Sequence, residues 1–99
     1  MKHEKIFTRE TGTQYLIQIS FFPDSFRETF EYRVKVWTRE KGKRNWNNIP
    51  HQLSEYDIRK MDWEEQKEYH YRNSLRFVSE QEIMEAKIEL WNKLNPQNV

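Results

Sequence analysis

Phe30–Ile49, FEYRVKVWTREKGKRNWNNI, decides the fold. Phe30, Tyr32, Val34 and Val36 fall on one side of an extended chain, and Glu31, Arg33, Lys35, Trp37 and Arg39 on the other. A period of two marks a half-buried strand. Lys41-Gly42 reads as a two-residue turn, since Gly accepts the positive φ that a tight hairpin needs. Lys43–Ile49 then returns as the partner strand. That loop sets Glu40 opposite Lys43, Arg39 opposite Arg44 and Trp37 opposite Trp46. The expectation is a cross-strand tryptophan pair on the face away from the valines, with two arginines opposed beside it. An aromatic pair stabilises a sheet by about 0.2–1 kcal/mol, whereas opposed like charges weaken it. Such arginines invite an anion or acidic side chains.

Upstream, Gln14–Phe22 (QYLIQISFF) alternates in the same way, with Tyr15, Ile17, Ile19 and Phe21 on one face. Ile6–Arg9 reads as a short first strand and Glu10–Thr13 as its turn. Pro23-Asp24-Ser25 is expected to end the second strand. Strands this close in sequence form an antiparallel meander. Its apolar face is expected to hold Tyr15, Ile17, Ile19, Phe21, Phe30, Tyr32, Val34 and Val36.

Downstream, Pro50 closes the sheet. Ser54, with Asp57 three residues on, caps an acidic helix over Glu55–Glu68. Tyr69–Val78 (YHYRNSLRFV) alternates again, and reads as a fifth strand, an extended connector or a continuation of that helix. Ser79-Glu80-Gln81-Glu82 is a capping box before a helical pattern. Ile83, Met84, Ile88, Trp91 and Leu94, helped by Leu90, form the stripe expected to cover the sheet, and Asn95-Pro96 stops it. The fold class is α+β, one domain over residues 1–99: a four-stranded (or five-stranded) antiparallel meander packed against a C-terminal helix, with a second, acidic helix.

Composition narrows the function. Leu, Ile, Val and Phe total 22 of 99 residues, a modest aliphatic supply, but 15 aromatic residues supply large buried areas and point to an ordered, aromatic-heavy core. Cysteine is absent, which removes disulfides and thiol chemistry. No apolar run has the length of a membrane span, and MKHEKIF lacks the apolar region of a secretory signal, so a cytoplasmic setting is expected. Net charge is only +1 but is polarised, +4 over residues 1–50 and −3 over residues 51–99. The simplest account of that asymmetry is acidic helices lying on a basic sheet. It also suits an anionic partner.

Catalytic constellations are not legible. His3, His51 and His70 lack metal-ligand spacing, and the two glycines form no phosphate loop. The serines lack a nucleophile motif, and Ser54 and Ser79 read as helix caps. Asp24, Glu31 and Lys35 suggest a metal-dependent nuclease without its Glu-x-Lys spacing, Glu65-Gln66-Lys67 and Glu85-Ala86-Lys87 have that spacing but fall in expected helices, and Asp24 reads better as a turn residue. No cofactor or metal is expected.

Arg33, Lys35, Trp37, Arg39, Lys41, Lys43, Arg44 and Trp46 form the candidate partner- or nucleic-acid-binding set. Cations neutralise phosphates, and rings stack on bases. The competing reading puts Trp37 and Trp46 in a second small core under Tyr69–Phe77. Trp63, Glu64 and Glu65 form a second candidate surface, since an exposed Trp anchors interfaces and an acidic run meets a basic partner. The leading expectation is a small non-enzymatic protein–protein interaction module, an accessory or inhibitor protein acting on a nucleic-acid-handling assembly. Small proteins of mobile elements share this compact, cysteine-free character, by association alone. Direct nucleic-acid binding by the hairpin ranks second and a small enzyme third. A homodimer is open, and no membrane is expected.

Overall fold

The computed structural model describes residues 1–24 and 29–96, with residues 22–24 and 29–31 described by their backbone alone. Four strands, β1 (Lys2–Thr8), β2 (Gln14–Asp24), β3 (Thr29–Arg39) and β4 (Asn47–Asn48), form one antiparallel sheet in chain order. Helices α1 (Glu55–Lys60), α2 (Trp63–Ser74) and α3 (Glu80–Leu94) follow. The fold is therefore the expected α+β meander.

The strands differ from the sequence reading at their ends. β1 begins at Lys2 rather than Ile6. β2 runs through Pro23 rather than stopping before it. The Phe21 N–H donates to the Met1 carbonyl, so residues of that parity point toward β1. Pro23 shares the parity but lies past the end of β1, where no ladder donor is needed. The apolar face falls as the alternation predicts: Ile17 faces Val36, Ile19 faces Val34 and Phe21 faces Tyr32. The side chain of Phe30, also expected there, lies outside the described residues.

The helices diverge more. The expected single helix over 55–68 is two helices, because Met61 is extended and Asp62 starts afresh as an N-cap, accepting the Glu65 N–H at 2.9 Å. Tyr69–Val78 is neither strand nor extended connector: α2 continues to Ser74, and a tight turn follows, closed by Phe77 and Val78 N–H groups on the Ser74 carbonyl. Tyr71, Ser74, Leu75 and Val78 face the core with helical spacing. Because Tyr71 and Leu75 also fit a period of two, the two patterns coincide there.

The fully buried centre is aliphatic: Ile17, Ile19, Val36, Ile49, Val78, Ile83, Ala86 and Leu90. Phe7, Tyr15, Phe21, Tyr32, Tyr71 and Phe77 ring it, half-buried. The aromatic-heavy core of the sequence reading is thus an aromatic rim. On α3, Ile83 and Leu90 pack inward, while Met84, Ile88 and Trp91 are exposed, against expectation. Ala86, a small residue, lets α3 lie close on β1 and β2 and turns that stripe outward. Both caps of the sequence reading form: Ser54 accepts from Asp57 N–H, and Ser79 and Glu82 make a full capping box.

Two polar ties hold α3 to β1. Arg9 makes a two-point contact with Glu82, at 2.6 and 2.8 Å, and also donates to the Phe77 carbonyl. Glu89 accepts from Lys5 at 2.8 Å and meets buried His3 at 3.1 Å, whose other ring nitrogen meets Lys93.

Gly12 closes the β1–β2 hairpin at φ +90°, with its N–H on the Arg9 carbonyl. A Cβ there would stand 2.8 Å from Lys41 Cδ, whereas at Gly42 (φ +81°) it would meet nothing. Gly12→Ala should therefore cost about 1–3 kcal/mol from backbone conformation alone, plus the displacement of Lys41. Gly42→Ala should cost only the backbone share. Urea midpoints of the two variants check the order; equal losses would remove the Lys41 contact from the account.

Candidate binding face

The second hairpin is built differently from its expectation. Lys41-Gly42 do form a turn, with Lys43 N–H on the Glu40 carbonyl at 3.1 Å. The strand expected over Lys43–Ile49 pairs only at Asn47 and Asn48, however, with Trp37 opposite Asn48 and Thr38 opposite Asn47. The loop is therefore longer than two residues, and Trp37 does not face Trp46, nor Arg39 Arg44. Extending the register puts Trp46 level with Arg39, and the Arg39 guanidinium lies 4.2 Å from the Trp46 ring centre. A cation thus stacks on each ring, Lys35 on Trp37 and Arg39 on Trp46, rather than ring on ring.

Helices α2 and α3 pack on the face carrying Ile17, Ile19 and Val36. Four cross-strand rows build the opposite face, which α2 touches where the Trp63 ring lies beside Arg33. Thr8, Gln14, Arg39 and Trp46 form the first, linked by Gln14 Nε2 to Thr8 Oγ1 (3.1 Å) and Arg39 Nε to Gln14 Oε1 (2.6 Å). Ile6, Leu16, Trp37 and Asn48 form the second. Glu4, Gln18 and Lys35 form the third, with Gln18 donating to Glu4 and the Lys35 ammonium 4.7 Å from the Trp37 ring. Lys2, Ser20 and Arg33 form the fourth.

The second row is apolar. Ile6 is 48% exposed, Trp37 is half-buried, and Leu16 between them is buried. Neither Ile6 nor Leu16 was in the sequence-derived set. The signal was present: Leu16 stands between Gln14 and Gln18 where alternation calls for a polar residue. Around the row lie Lys2, Arg33, Lys35 and Arg39, with exposed Lys41, Lys43 and Arg44 in the loop beyond. Glu4 and Glu40 are the acidic side chains described there, so the face is strongly positive. Tyr69–Phe77 does not cover the tryptophans: Tyr71 and Phe77 pack into the rim of the main core on the far side, Phe77 6.2 Å from Tyr15.

Trp63 and its acidic neighbours lie elsewhere. Trp63 opens α2 and is 52% exposed, with the Arg33 guanidinium 4.4 Å from its ring, so it stands at the β3 side of the molecule. Glu64 and Glu65 are exposed in the same turn. The Glu65 N–H holds the Asp62 carboxyl below its usual range, and Asp62 in turn pushes Glu65 up. Further along α2, His70 lies 5.6 Å from the His51 ring. Burial, then His51 and Lys35, lower its pKa and keep it neutral at pH 7.

The side chains of Asp24 and Glu31 lie outside the described residues. Among those described, no three His, Asp or Glu side chains gather closely enough to hold a metal ion. No helix among them is long and apolar enough to cross a membrane. The chain matches no protein-family model, curated protein or solved structure.

Proposed function

We propose that this chain is a non-enzymatic interaction module that docks on a larger protein through its open sheet face. One observation carries the reading: the Ile6–Leu16–Trp37 row crosses three strands as a small apolar centre inside a ring of Lys2, Arg33, Lys35, Arg39, Gln14 and Gln18. An apolar, aromatic centre inside a polar rim is the anatomy of a protein interface, with Trp and Arg the residues that most often dominate its energy. The positive rim selects a partner with an acidic surround and speeds its approach at low salt. An inhibitor or accessory subunit of a nucleic-acid-handling assembly fits this, since a protein that presents acidic groups, or a groove meant for phosphates beside them, meets such a face.

The second reading is direct binding of single-stranded nucleic acid, and the cation stacked on each tryptophan favours it. Lys35 on Trp37 and Arg39 on Trp46 place a phosphate-binding charge beside a ring that stacks on a base.

Affinity purification from the native host, followed by calorimetry with the purified partner, tests the first reading. Trp37→Ala should weaken binding by about 2 kcal/mol or more, roughly thirtyfold. It should leave the far-ultraviolet circular dichroism unchanged, because Trp37 lies outside the buried core. Retention of full affinity by Trp37→Ala and Ile6→Ser would remove the sheet face as the docking site. Tryptophan fluorescence titration with oligonucleotides separates the readings: nucleic-acid binding requires quenching that weakens steeply with salt, and no signal at low salt ends that alternative.

A further inference from the structure

We propose that this chain assembles head to tail, the outer stripe of α3 of one copy seating on the open sheet face of the next. The inference goes beyond docking on a larger protein. It names a second copy as the occupant of the sheet face when such a partner is absent, and it rests on that face being a docking surface.

Two apolar features lie uncovered on opposite layers of the molecule. One is the Ile6–Leu16–Trp37 row. The other is Met84, Ile88 and Trp91 on α3, which are 53%, 51% and 52% exposed. These three stand at i, i+4 and i+7, the spacing by which a helix anchors itself on a partner. Ile83, Ala86 and Leu90 hold the other side of α3 on the sheet, so the stripe points away from it. The lengths match: seven helical residues rise about 10.5 Å, and three adjacent strands span about 9–10 Å.

Charge selects the pairing. Beside the row, Lys2, Lys35, Arg39, Lys41, Lys43 and Arg44 are held in no ion pair among the described residues; Lys35 and Arg39 contact rings and the Gln14 amide. Glu4, bonded to Gln18, and Glu40 are the acidic side chains described on that side. Beside the stripe, Glu80 and Glu85 are exposed and held in no ion pair, and Lys87 is the cation, its ammonium 5.8 Å from the Tyr32 ring. Glu89 and Lys93 are turned to β1, where Glu89 meets Lys5 and His3, and Lys93 meets His3. Sheet face on sheet face would set cations against cations, and stripe on stripe would set Glu against Glu. Only face on stripe brings opposite charges together. The same polarity runs through the whole chain, +4 over residues 1–50 and −3 over residues 51–99.

The cations crowd the β3 end of the row, so the first turns of α3, with Glu80 and Glu85, belong there. Met84 then lies on the Trp37 ring, a favourable sulfur–aromatic contact, with Ile88 over Leu16 and Trp91 on Ile6. The two surfaces differ and lie on opposite layers. The contact is therefore heterologous, leaves one surface of each kind free at the ends, and extends into a chain rather than closing as a dimer. Three anchors a side make a small interface, so assembly is weak and depends on concentration.

Sedimentation velocity of the whole chain, from micromolar to millimolar protein at low salt, tests this. The mean mass should climb past that of a dimer and fall back as salt is added. Trp37→Ala and Ile88→Lys should each weaken self-association by about tenfold or more. An equimolar mixture of the two variants should regain association but stop at a dimer, because each keeps the surface that the other lacks. Ile6→Lys takes the place of Trp37→Ala if that variant does not fold. The proposal is overturned by a monomer throughout, by a mass that stops at a dimer for the unaltered chain, by elongation of Ile88→Lys equal to the parent's, or by a mixture that stays monomeric. Ile88 lies off the sheet face, so failure of the stripe leaves docking on a larger protein to its own test with Trp37→Ala and Ile6→Ser.

Discussion

Leu90→Ala should lower the unfolding free energy by about 2–5 kcal/mol, while Ile88→Ala, two positions away on the same helix, should change it by under about 0.5 kcal/mol. Leu90 is fully buried among Ile17, Ile19, Ile83 and Ala86, and removing its side chain leaves a cavity that a close-packed core cannot fill. Ile88 is 51% exposed, and the little burial it loses is offset by alanine's better helix propensity, worth a few tenths of a kcal/mol. A chain of this length has a total stability of about 5–15 kcal/mol. The Leu90 change thus removes a large share of it, while Ile88→Ala is close to silent. Urea unfolding of both variants decides the point. A loss of more than about 1.5 kcal/mol for Ile88→Ala would mean that α3 is rotated toward the stripe expected from sequence, with Met84 and Trp91 inward as well.

The contrast shows what the sequence could tell. Strand alternation is a binary signal, and it assigned both faces of β2 and β3 correctly because Ile17, Ile19, Val34 and Val36 repeat without a break. A helix face is harder to assign when apolar residues spread over more than half its circumference. On α3 they run from Ile83 through Met84, Ala86, Ile88, Leu90 and Trp91 to Leu94, and size favours Trp91 over Ala86. Packing reversed that order, since the close approach of α3 to the sheet is set at its smallest residue. The break between α1 and α2 was visible as Asp62 with Glu65 three residues on, a capping signature hidden inside a uniformly acidic run. The candidate face was legible as a list of cations and tryptophans on the side of β3 away from the valines. Its geometry was not, because hairpin register follows loop length, and a Gly turn does not oblige the next residue to pair. Tryptophan pairing gave way to cation stacking for that reason alone. Ile6 went unnoticed since it becomes part of the apolar row only once β1 is laid beside β2.

Acid should dissolve the tie between the first hairpin and α3, and Glu82→Gln should show how much of the stability it carries. Glu82 is mostly buried, and Arg9, foremost among its partners, holds its carboxyl below the usual range, with Ser79 adding hydrogen bonds. A carboxyl whose folded pKa is depressed binds its proton more weakly in the folded chain. It therefore contributes stability that is fully present above the unfolded value, about 4.3, and is lost as pH falls through the folded value. Hydrogen bonds to charged groups contribute about 1.5–3 kcal/mol when partly buried. At pH 7, Glu82→Gln should accordingly be less stable than the parent by about 1–3 kcal/mol. Below the folded pKa the parent's Glu82 is itself neutral and nearly isosteric with Gln, so the gap should close. Glu89 follows the same sign, lowered first by Lys5 and then by His3, but at 42% exposure its bridge is solvent-screened, and Glu89→Gln should cost under about 1 kcal/mol. Thermal unfolding of the parent and both variants from pH 7 to pH 2.5 checks the ordering. A gap between parent and Glu82→Gln that stays constant with pH would assign the loss to packing or helix capping. In that case the Arg9–Glu82 ion pair would hold α3 by shape rather than charge.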